Sequence, residues 1–133
     1  MQVFAITKNV RMSAQKMREV VRQIQGLPAE RAQAVLAVVP RKSARWVAKT
    51  LKSARANADD LKANNRDYAE LEIAKLWVKE AVAGTATSFR RFTPKARGSA
   101  GPIIKRNCHI KIVLSDEDLA APSSRRGLQG RKN

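Results

Sequence analysis

The first third of the chain changes from an alternating pattern of apolar and polar side chains to a helical one. Residues 2–10, QVFAITKNV, predict a short half-buried strand with Phe4 and Ile6 on its apolar face. The next apolar side chains recur at helical spacing: Met17, Val20, Val21 and Ile24. Ser13 is suited to cap this first helix and Gly26 to stop it.

Two further helices follow. Residues 27–40, LPAERAQAVLAVVP, place one proline where a first helical turn tolerates it and end on another. A longer third helix is predicted from about Arg41 to Leu61, because one face stays apolar over several turns. Its opposite arc carries Arg41, Lys42, Arg45, Lys49, Lys52 and Arg55. Such an arc is suited to lie along a phosphate backbone.

Strand-like segments flank the most basic part of the chain. Residues 71–84, LEIAKLWVKEAVAG, predict a strand. Its apolar face shifts by one residue between Leu71 and Ile73 and the later set Leu76, Val78 and Val82, which indicates a bulge or a twist. Its predicted partner keeps Ile110, Ile112 and Leu114 on one face. The chain between them should project as a hairpin by roughly 30 Å, at ~3.3 Å per residue. An isolated ribbon has no core of its own, so we expect this arm to be mobile until it meets a partner.

The charge of the chain indicates the class of partner. The 133 residues include 27 Lys and Arg against 11 Asp and Glu, a formal net charge of +16. A surface this basic repels itself unless a polyanion neutralises it, so nucleic acid is the leading class. No apolar run approaches the ~18 residues of a membrane span, and we expect a soluble, cytoplasmic protein with no membrane contact. The single cysteine, Cys108, has no partner for a disulfide and no companions for a zinc site.

Residues 88–111, SFRRFTPKARGSAGPIIKRNCHIK, concentrate this charge, and no Asp or Glu occurs anywhere from residue 81 to residue 115. A solvated basic loop is one interpretation. The alternative is a nucleic-acid-binding arm, since arginines offer forked donors for phosphate oxygens and its prolines and glycines permit tight turns. Phe89 and Phe92 are suited either to stacking on unpaired bases or to packing on each other across the ribbon.

Four segments together resemble the large-subunit ribosomal protein family L twenty-two. They are NVRMSAQKMREVV, ARWVAKTLKSARANAD, LWVKEA and RRFTPKARGSAGPIIKRNCHI, which occur in order over about residues 3–114. The resemblance implies an α+β fold, with three helices packed on a small three-stranded antiparallel sheet and a long protruding β-hairpin. It also implies a structural constituent of the large ribosomal subunit that binds large-subunit rRNA, aids its assembly and lines the nascent-peptide exit tunnel with the hairpin.

The resemblance, carried over by position, assigns RNA contacts to the arm, and the exposed basic residues of the first and third helices add further candidates. The expected RNA-binding residues are Lys16, Arg18, Arg41, Lys42, Arg45, Lys49, Lys52, Arg90, Arg91, Lys95, Arg97, Lys105, Arg106, His109 and Lys111. The expected tunnel tip comprises Phe89, Arg90, Arg91, Phe92, Pro94, Lys95, Ala96, Arg97 and Gly98. Expected partners are large-subunit rRNA, neighbouring ribosomal proteins, the nascent peptide and macrolide antibiotics near the tip, in a ribosome of bacterial type.

The resemblance also sets the expected boundaries. One rRNA-binding domain should span residues 1–114, with the arm at about 80–106, and residues 115–133 should form a flexible tail. The chain departs from the family pattern at residues 83–87, AGTAT, where members usually carry an acidic pair, and at Ser99, where they usually carry an arginine. These departures make the arm more basic and remove one contact at its tip.

Two other functions make different demands on the sequence. An architectural DNA-binding protein also uses basic, proline-tipped arms, which enter the minor groove, but that design normally needs a dimer. An enzyme needs paired carboxylates or a histidine with an orienting partner, and His109 has no acidic residue at strand spacing. Ser13 and Lys16 match the S-x-x-K spacing of some hydrolases, but helix capping accounts for Ser13. We expect no catalytic site, no cofactor and no metal.

Overall fold

A computed structural model describes residues 1–68 and 71–116. Its helices and strands are β1 (Gln2–Val10), α1 (Ala14–Ile24), α2 (Ala29–Val38), α3 (Lys42–Asn64), β2 (Trp77–Thr85), β3 (Phe89–Pro94), β4 (Ala100–Lys105) and β5 (Cys108–Ser115). Short 3-10 helices occupy Arg66–Tyr68, Ile73–Lys75 and Ala96–Gly98. The α+β class predicted from the family resemblance is confirmed. The predicted tail lies outside the described residues from position 117 onward.

Three strands form one antiparallel sheet in the order β1-β5-β2. The central strand, β5, buries the predicted face, with Ile110, Ile112 and Leu114 all fully buried. β2 contains a bulge, since its register against β5 shifts between Val78 and Glu80, but the shift was predicted before Leu76, where the chain forms a 3-10 helix instead. Val82, predicted on the same face as Val78, is 42% exposed because the bulge lies between them. The bulge lets Val78 and the later residues of β2 both face the helices, although their sequence spacing is out of phase.

In β1 the face with the small side chains packs on the core, and the face with the large apolar side chains points to solvent. Val3 and Ala5 are buried, whereas Phe4 is 58% and Ile6 is 47% exposed. The buried pair lies opposite long side chains of the central strand, which already fill the space beneath α3. Only small side chains fit in β1 there. The prediction that Phe4 and Ile6 form the buried face of this strand is therefore wrong.

The strand predicted over residues 71–84 begins later than expected. Ile73–Lys75 form a 3-10 helix, and β2 starts at Trp77. Leu71 and Leu76 are nonetheless buried, with 1% and 0% of their surfaces exposed. Their side chains reach the core from irregular backbone, so their apolar character did not indicate a strand.

The helices cover one face of the sheet. α1 buries the side chains predicted for it, and α3 packs on β1 and β5 through small residues such as Ala54 and Ala58. The Thr50 hydroxyl lies 2.8 Å from that of Thr7, which ties α3 to β1. In the described residues, no helix combines the length and the apolar character that a membrane span requires.

The strands β3 and β4 form a separate ribbon, and neither pairs with a further strand among the described residues. Residues 86–88 and 106–107 separate it from the sheet, so the predicted hairpin is divided into a part within the body and a free ribbon. Two hydrogen bonds close the junction: the Ala86 N–H donates to the Asn107 carbonyl at 3.1 Å, and Asn107 Nδ2 donates to the Thr87 carbonyl at 3.0 Å. We call residues 86–88 and 106–107 the arm root.

Candidate nucleic-acid interface

The solvent side of α3 carries the predicted basic strip. The helical repeat places four exposed cations opposite the buried face of the helix: Lys42, Arg45, Lys49 and Lys52. At 1.5 Å per residue they extend over about 15 Å. None of the four has an acidic partner among the described residues. This α3 strip therefore presents uncompensated positive charge to solvent.

Two further cations of this region are held by neighbouring helices. Arg41, the residue before α3, forms an ion pair with Glu19 of α1, and Arg55 Nη1 donates to Gln33 Oε1 of α2 at 2.8 Å. The charge of Arg41 is thus partly compensated within the protein. Arg41 also lines a cleft of about 690 Å³ between the end of α2 and the start of α3, together with Lys42 and Arg45.

The β3–β4 ribbon presents two faces of similar chemistry. Residues directly opposite each other in antiparallel strands share a face. One face carries Phe89, Arg91, Ile103 and Lys105, and the other carries Arg90, Phe92, Pro102 and Ile104. Each face therefore combines an aromatic ring and aliphatic surface with at least one cation. All of these side chains are exposed.

The two phenylalanines of the ribbon have different surroundings. Because they lie on opposite faces, they do not pack on each other, and that alternative is wrong. The guanidinium carbon of Arg91 lies 5.7 Å from the centre of the Phe89 ring, within the range of a cation–π interaction. Phe92 is 83% exposed. Its ring is available for stacking on a base.

The tip of the ribbon is a turn fastened by Ser99. The Lys95 N–H donates to the Ser99 carbonyl at 2.7 Å, and the Ser99 hydroxyl donates to the Ala96 carbonyl at 2.8 Å. Arg97 and Gly98 both have left-handed backbone, with φ of 56° and 72°. The sequence indicated that Gly98 would shape the bend, but it gave no signal for Arg97. Ser99 was expected only to lack a contact, whereas its hydroxyl closes the turn.

The side chain of Lys95 lies across Gly101 on the returning strand. A Cβ atom at Gly101 would come within 2.5 Å of Lys95 Cε and 3.0 Å of Lys95 Cγ. Only glycine leaves space for the lysine stem at this position. The Lys95 stem therefore passes beside Gly101, which pairs with Thr93, one residue before the end of β3.

The remaining predicted site residues lie around the sheet and the arm root. Lys111 Nζ is 3.4 Å from Glu80 Oε2, so this cation is paired within the protein. His109 Nδ1 accepts the backbone N–H of Asn9 at 3.0 Å, which gives the histidine a structural partner. Lys16 lies on the exposed side of α1 and Lys105 ends β4.

Arg18 and Arg106, which are 88 positions apart in sequence, line one cleft beside the arm root. Ser13 occupies the predicted N-cap position of α1, but its side chain makes no capping hydrogen bond. The buried Asn107 was not among the predicted site residues. A single amide between a basic pair and a strand gives no periodic signal from which its role could have been predicted.

No metal or thiol chemistry is indicated in the part of the chain that the structure describes. Residues 1–68 and 71–116 contain no cluster of three or more His, Cys, Asp or Glu side chains arranged to hold a metal ion. Cys108 is fully buried, and burial raises the pKa of its thiol. A protonated, inaccessible thiol is a poor nucleophile.

Comparisons with known proteins identify the family. Residues 5–115 match the family model described as ribosomal protein L22p/L17e. The chain belongs to this family. Large ribosomal subunit protein uL22 of Akkermansia muciniphila is 44% identical to it over 118 residues, which cover 89% of this chain and 99% of the relative. The protein of the same name from Opitutus terrae is 47% identical over 116 residues, covering 87% and 96%.

A third relative, large ribosomal subunit protein uL22 of Roseiflexus sp., is 43% identical over 116 residues, or 87% of this chain and 96% of the relative. The resemblance recognised in the four sequence segments is thus confirmed. The family consists of structural ribosomal proteins rather than enzymes. None of these relatives supports the architectural DNA-binding alternative.

Proposed function

We propose that this chain is a structural constituent of the large ribosomal subunit and binds large-subunit rRNA through the α3 strip and the β3–β4 ribbon. Membership of the family supports the ribosomal role. The observation that carries the RNA-binding role is the exposure of uncompensated cations on both elements, with no acidic residue on the ribbon. Such surfaces bind a polyanion by releasing its counterions.

The two elements use different contacts. The α3 strip offers regularly spaced cations for successive phosphates, which position the protein without reading sequence. The ribbon adds exposed rings and aliphatic side chains on both faces, which can stack on unpaired bases or fill spaces between RNA helices. The ribbon therefore suits insertion between RNA segments, and the strip suits attachment along one of them.

The ribbon is also proposed to line the nascent-peptide exit tunnel. Each of its strands has six residues, and at ~3.3 Å per residue the ribbon reaches about 20 Å from the arm root. Its tip residues, Pro94 to Gly98, would then lie where a nascent peptide or a macrolide antibiotic passes. Neighbouring ribosomal proteins complete the proposed partners, and the bacterial sources of the relatives support a ribosome of bacterial type.

The test begins with the tagged full-length chain in bacterial cells. We expect it to co-sediment with large ribosomal subunits at moderate salt, and recovery on chromosomal DNA instead would overturn the proposal. In vitro, a strip variant replaces Lys42, Arg45, Lys49 and Lys52 by alanine. Its matched control removes four exposed cations elsewhere: Arg22, Arg31, Lys62 and Arg66.

Both variants lose four positive charges. A difference between them therefore reports the position of the charges on the strip and not the net charge of the protein. We expect the strip variant to reduce the slope of log affinity for rRNA against log salt by about three, at ~0.7–0.9 per phosphate contact. The control variant should reduce it by less than one. Equal losses of affinity and of slope in the two variants would show that the α3 strip is not a specific binding surface.

A further inference from the structure

A cleft of about 360 Å³ lies at the arm root, where the start of α1 meets the ends of β2 and β4. We propose that this arm-root cleft binds a single phosphate group of an RNA backbone and thereby ties the ribbon to the body. The proposal rests on the rRNA-binding function above and assigns one site within it. Arg18 and Arg106 both line it.

Arg18 is held in position before any ligand arrives. Its Nε–H donates to the Ala83 carbonyl of β2 at 3.0 Å, which fixes the guanidinium against the sheet. The other guanidinium N–H groups make no hydrogen bond within the described residues. A guanidinium anchored through Nε still has terminal donors, and their planar geometry matches phosphate oxygens.

Arg106 approaches the same cleft from the arm. It follows β4 directly, is exposed, and has neither an ion pair nor a hydrogen bond among the described residues. Two guanidinium groups that share a cleft without an acid repel each other. An anion between them removes this repulsion, whereas an apolar or cationic ligand does not.

Polar side chains also line the cleft, and one of them is firmly placed. Asn107 is only 7% exposed, and its amide is held by the Thr87 carbonyl at 3.0 Å. Ser13 and Ser88 add hydroxyl groups, and none of the lining residues within 1–68 and 71–116 is Asp or Glu. The start of α1 has no side-chain cap, so its first N–H groups are further donors. The two arginines and the cleft thus form the main part of the phosphate site, and the end of α1 provides additional donors.

Occupation of the cleft has a mechanical consequence. The ribbon has no ladder pairing with the three-stranded sheet, and at the arm root the backbone is joined across the two segments by the Ala86–Asn107 hydrogen bond. A phosphate held by both arginines would form a second connection, between α1 and the returning strand. RNA binding at the body would then fix the direction in which the ribbon leaves it.

The first experiment tests whether the two arginines share one phosphate. The affinity for large-subunit rRNA is measured at several salt concentrations for four proteins. They are the full-length chain, Arg18→Ala, Arg106→Ala and the double variant. We expect each single variant to lose about tenfold in affinity, as for a charge-assisted hydrogen bond. The factor by which the double variant loses affinity should be smaller than the product of the two single factors. Its slope of log affinity against log salt should fall by about one, because one phosphate contact is lost.

The matched control is the double variant Arg90→Ala with Arg91→Ala. It removes the same charge from residues that lie on opposite faces of the ribbon, so its slope should fall by about two. Arg18→Lys keeps the charge but cannot reproduce the forked donor anchored on Ala83, and we expect it to recover only part of the affinity. Cooperative unfolding of every variant is checked first, to exclude loss of the fold.

The second experiment needs no substitution. Inorganic phosphate is titrated into the full-length chain in chloride buffer at constant ionic strength, and amide NMR shifts are followed. Saturable shifts at residues 14–18 and 106–107, stronger than those at residues 90–91, are expected for the cleft. Shifts of equal size along the whole arm would mean that phosphate binds only as a diffuse counterion.

The outcomes distinguish this inference from the proposed function. If the unchanged chain does not bind rRNA, the proposed function fails and the inference fails with it. Two results with a chain that does bind rRNA would overturn the cleft proposal alone. One is an affinity loss of the double variant equal to the product of the single losses, and the other is phosphate binding without preference for the cleft. A response to free phosphate without the coupled loss on rRNA also overturns it, because the ligand would then be an ion rather than the RNA backbone.

Discussion

His109 accepts a hydrogen bond from the backbone of Asn9, with 3.0 Å between Asn9 N and His109 Nδ1. Asn9 lies within the register shift of β1, between Thr7 and Val10, and has left-handed backbone with φ of 54°. An Nδ1 that accepts leaves the proton of the neutral imidazole on Nε2. Any RNA contact of His109 is therefore made through an Nε2 donor.

We expect imidazole ¹⁵N NMR of the free protein to show the Nε2–H tautomer of neutral His109. His109→Ala should lower the free energy of unfolding by about 0.5–1.5 kcal/mol, the usual worth of one hydrogen bond. Asn9→Gly should not destabilise the fold, because glycine adopts positive φ without strain. An Nδ1–H tautomer, or a destabilising Asn9→Gly substitution, would contradict this arrangement.

Glu19 compensates a cation that borders the α3 strip, since it pairs with Arg41. Glu19→Gln should strengthen binding to rRNA by a few fold at low salt, because it frees one positive charge and removes one negative charge. Surface ion pairs contribute only about 0–1 kcal/mol, so stability should change little. Glu30→Gln is the control, since the described residues show no ion pair for Glu30. Equal strengthening by both would indicate an effect of net charge alone.

Gly101 sets the position of Lys95 at the tip. Gly101→Ala places a methyl group where the lysine stem lies, so we expect the Lys95 side chain to move and its contribution to rRNA binding to fall. Global stability should change by less than about 0.5 kcal/mol, because the ribbon lies outside the core. Gly84→Ala is the control, since its added Cβ has no neighbour within 4 Å. NMR of the Lys95 side chain distinguishes the two, and an unmoved Lys95 in Gly101→Ala would disprove the packing.

The body should fold without the ribbon. Removing residues 89–105 and joining Ser88 to Arg106 by a short turn deletes no core residue and retains the Ala86–Asn107 hydrogen bond. We expect a single cooperative unfolding transition with a free energy within about 1 kcal/mol of the full chain. For comparison, Ile112→Ala in the core should cost about 2–5 kcal/mol. Loss of cooperativity in the deletion variant would show that the ribbon stabilises the body.

The sequence predicted the elements whose burial depends on their own periodicity. The central strand shows its inner face in the alternation of Ile110, Ile112 and Leu114, and α3 shows its strip because cations and apolar residues fall on opposite arcs. β1 was misassigned because alternation defines two faces without saying which one packs. That choice depends on strand β5, more than 100 positions away.

The candidate site was predictable by residue type but not by arrangement. Arg18 and Arg106 were both expected to contact RNA, yet nothing in their spacing indicated a shared cleft, which arises from the order of the strands and the return of the hairpin. The partners of Arg41 and Lys111 were hidden for the same reason. Long-range pairing decides which cations remain available for a polyanion.

The length of the ribbon should determine what its tip meets in the exit tunnel. Phe89 and Arg90 pair with Lys105 and Ile104, so deleting these four residues together removes two ladder steps and preserves the faces of the rest. The tip should withdraw by about 7 Å, at ~3.3 Å per residue, without a change in the body. That distance is comparable to the width of an extended peptide. Cells that carry this variant should therefore assemble large subunits but respond differently to macrolides and to nascent peptides that stall in the tunnel.

The control for this deletion keeps the length and removes the same charge. Arg90→Ala with Lys105→Ala eliminates both cations of the deleted segment while the ribbon still reaches its full extent. Altered macrolide sensitivity and stalling in the shortened variant, with near-normal responses in the control, would tie the effect to the position of the tip. Equal effects in both would assign it to the lost phosphate contacts, since these cations then hold the ribbon against rRNA. Unaltered responses in the shortened variant, in subunits that contain it, would remove the tunnel role and leave rRNA binding as the function of the arm.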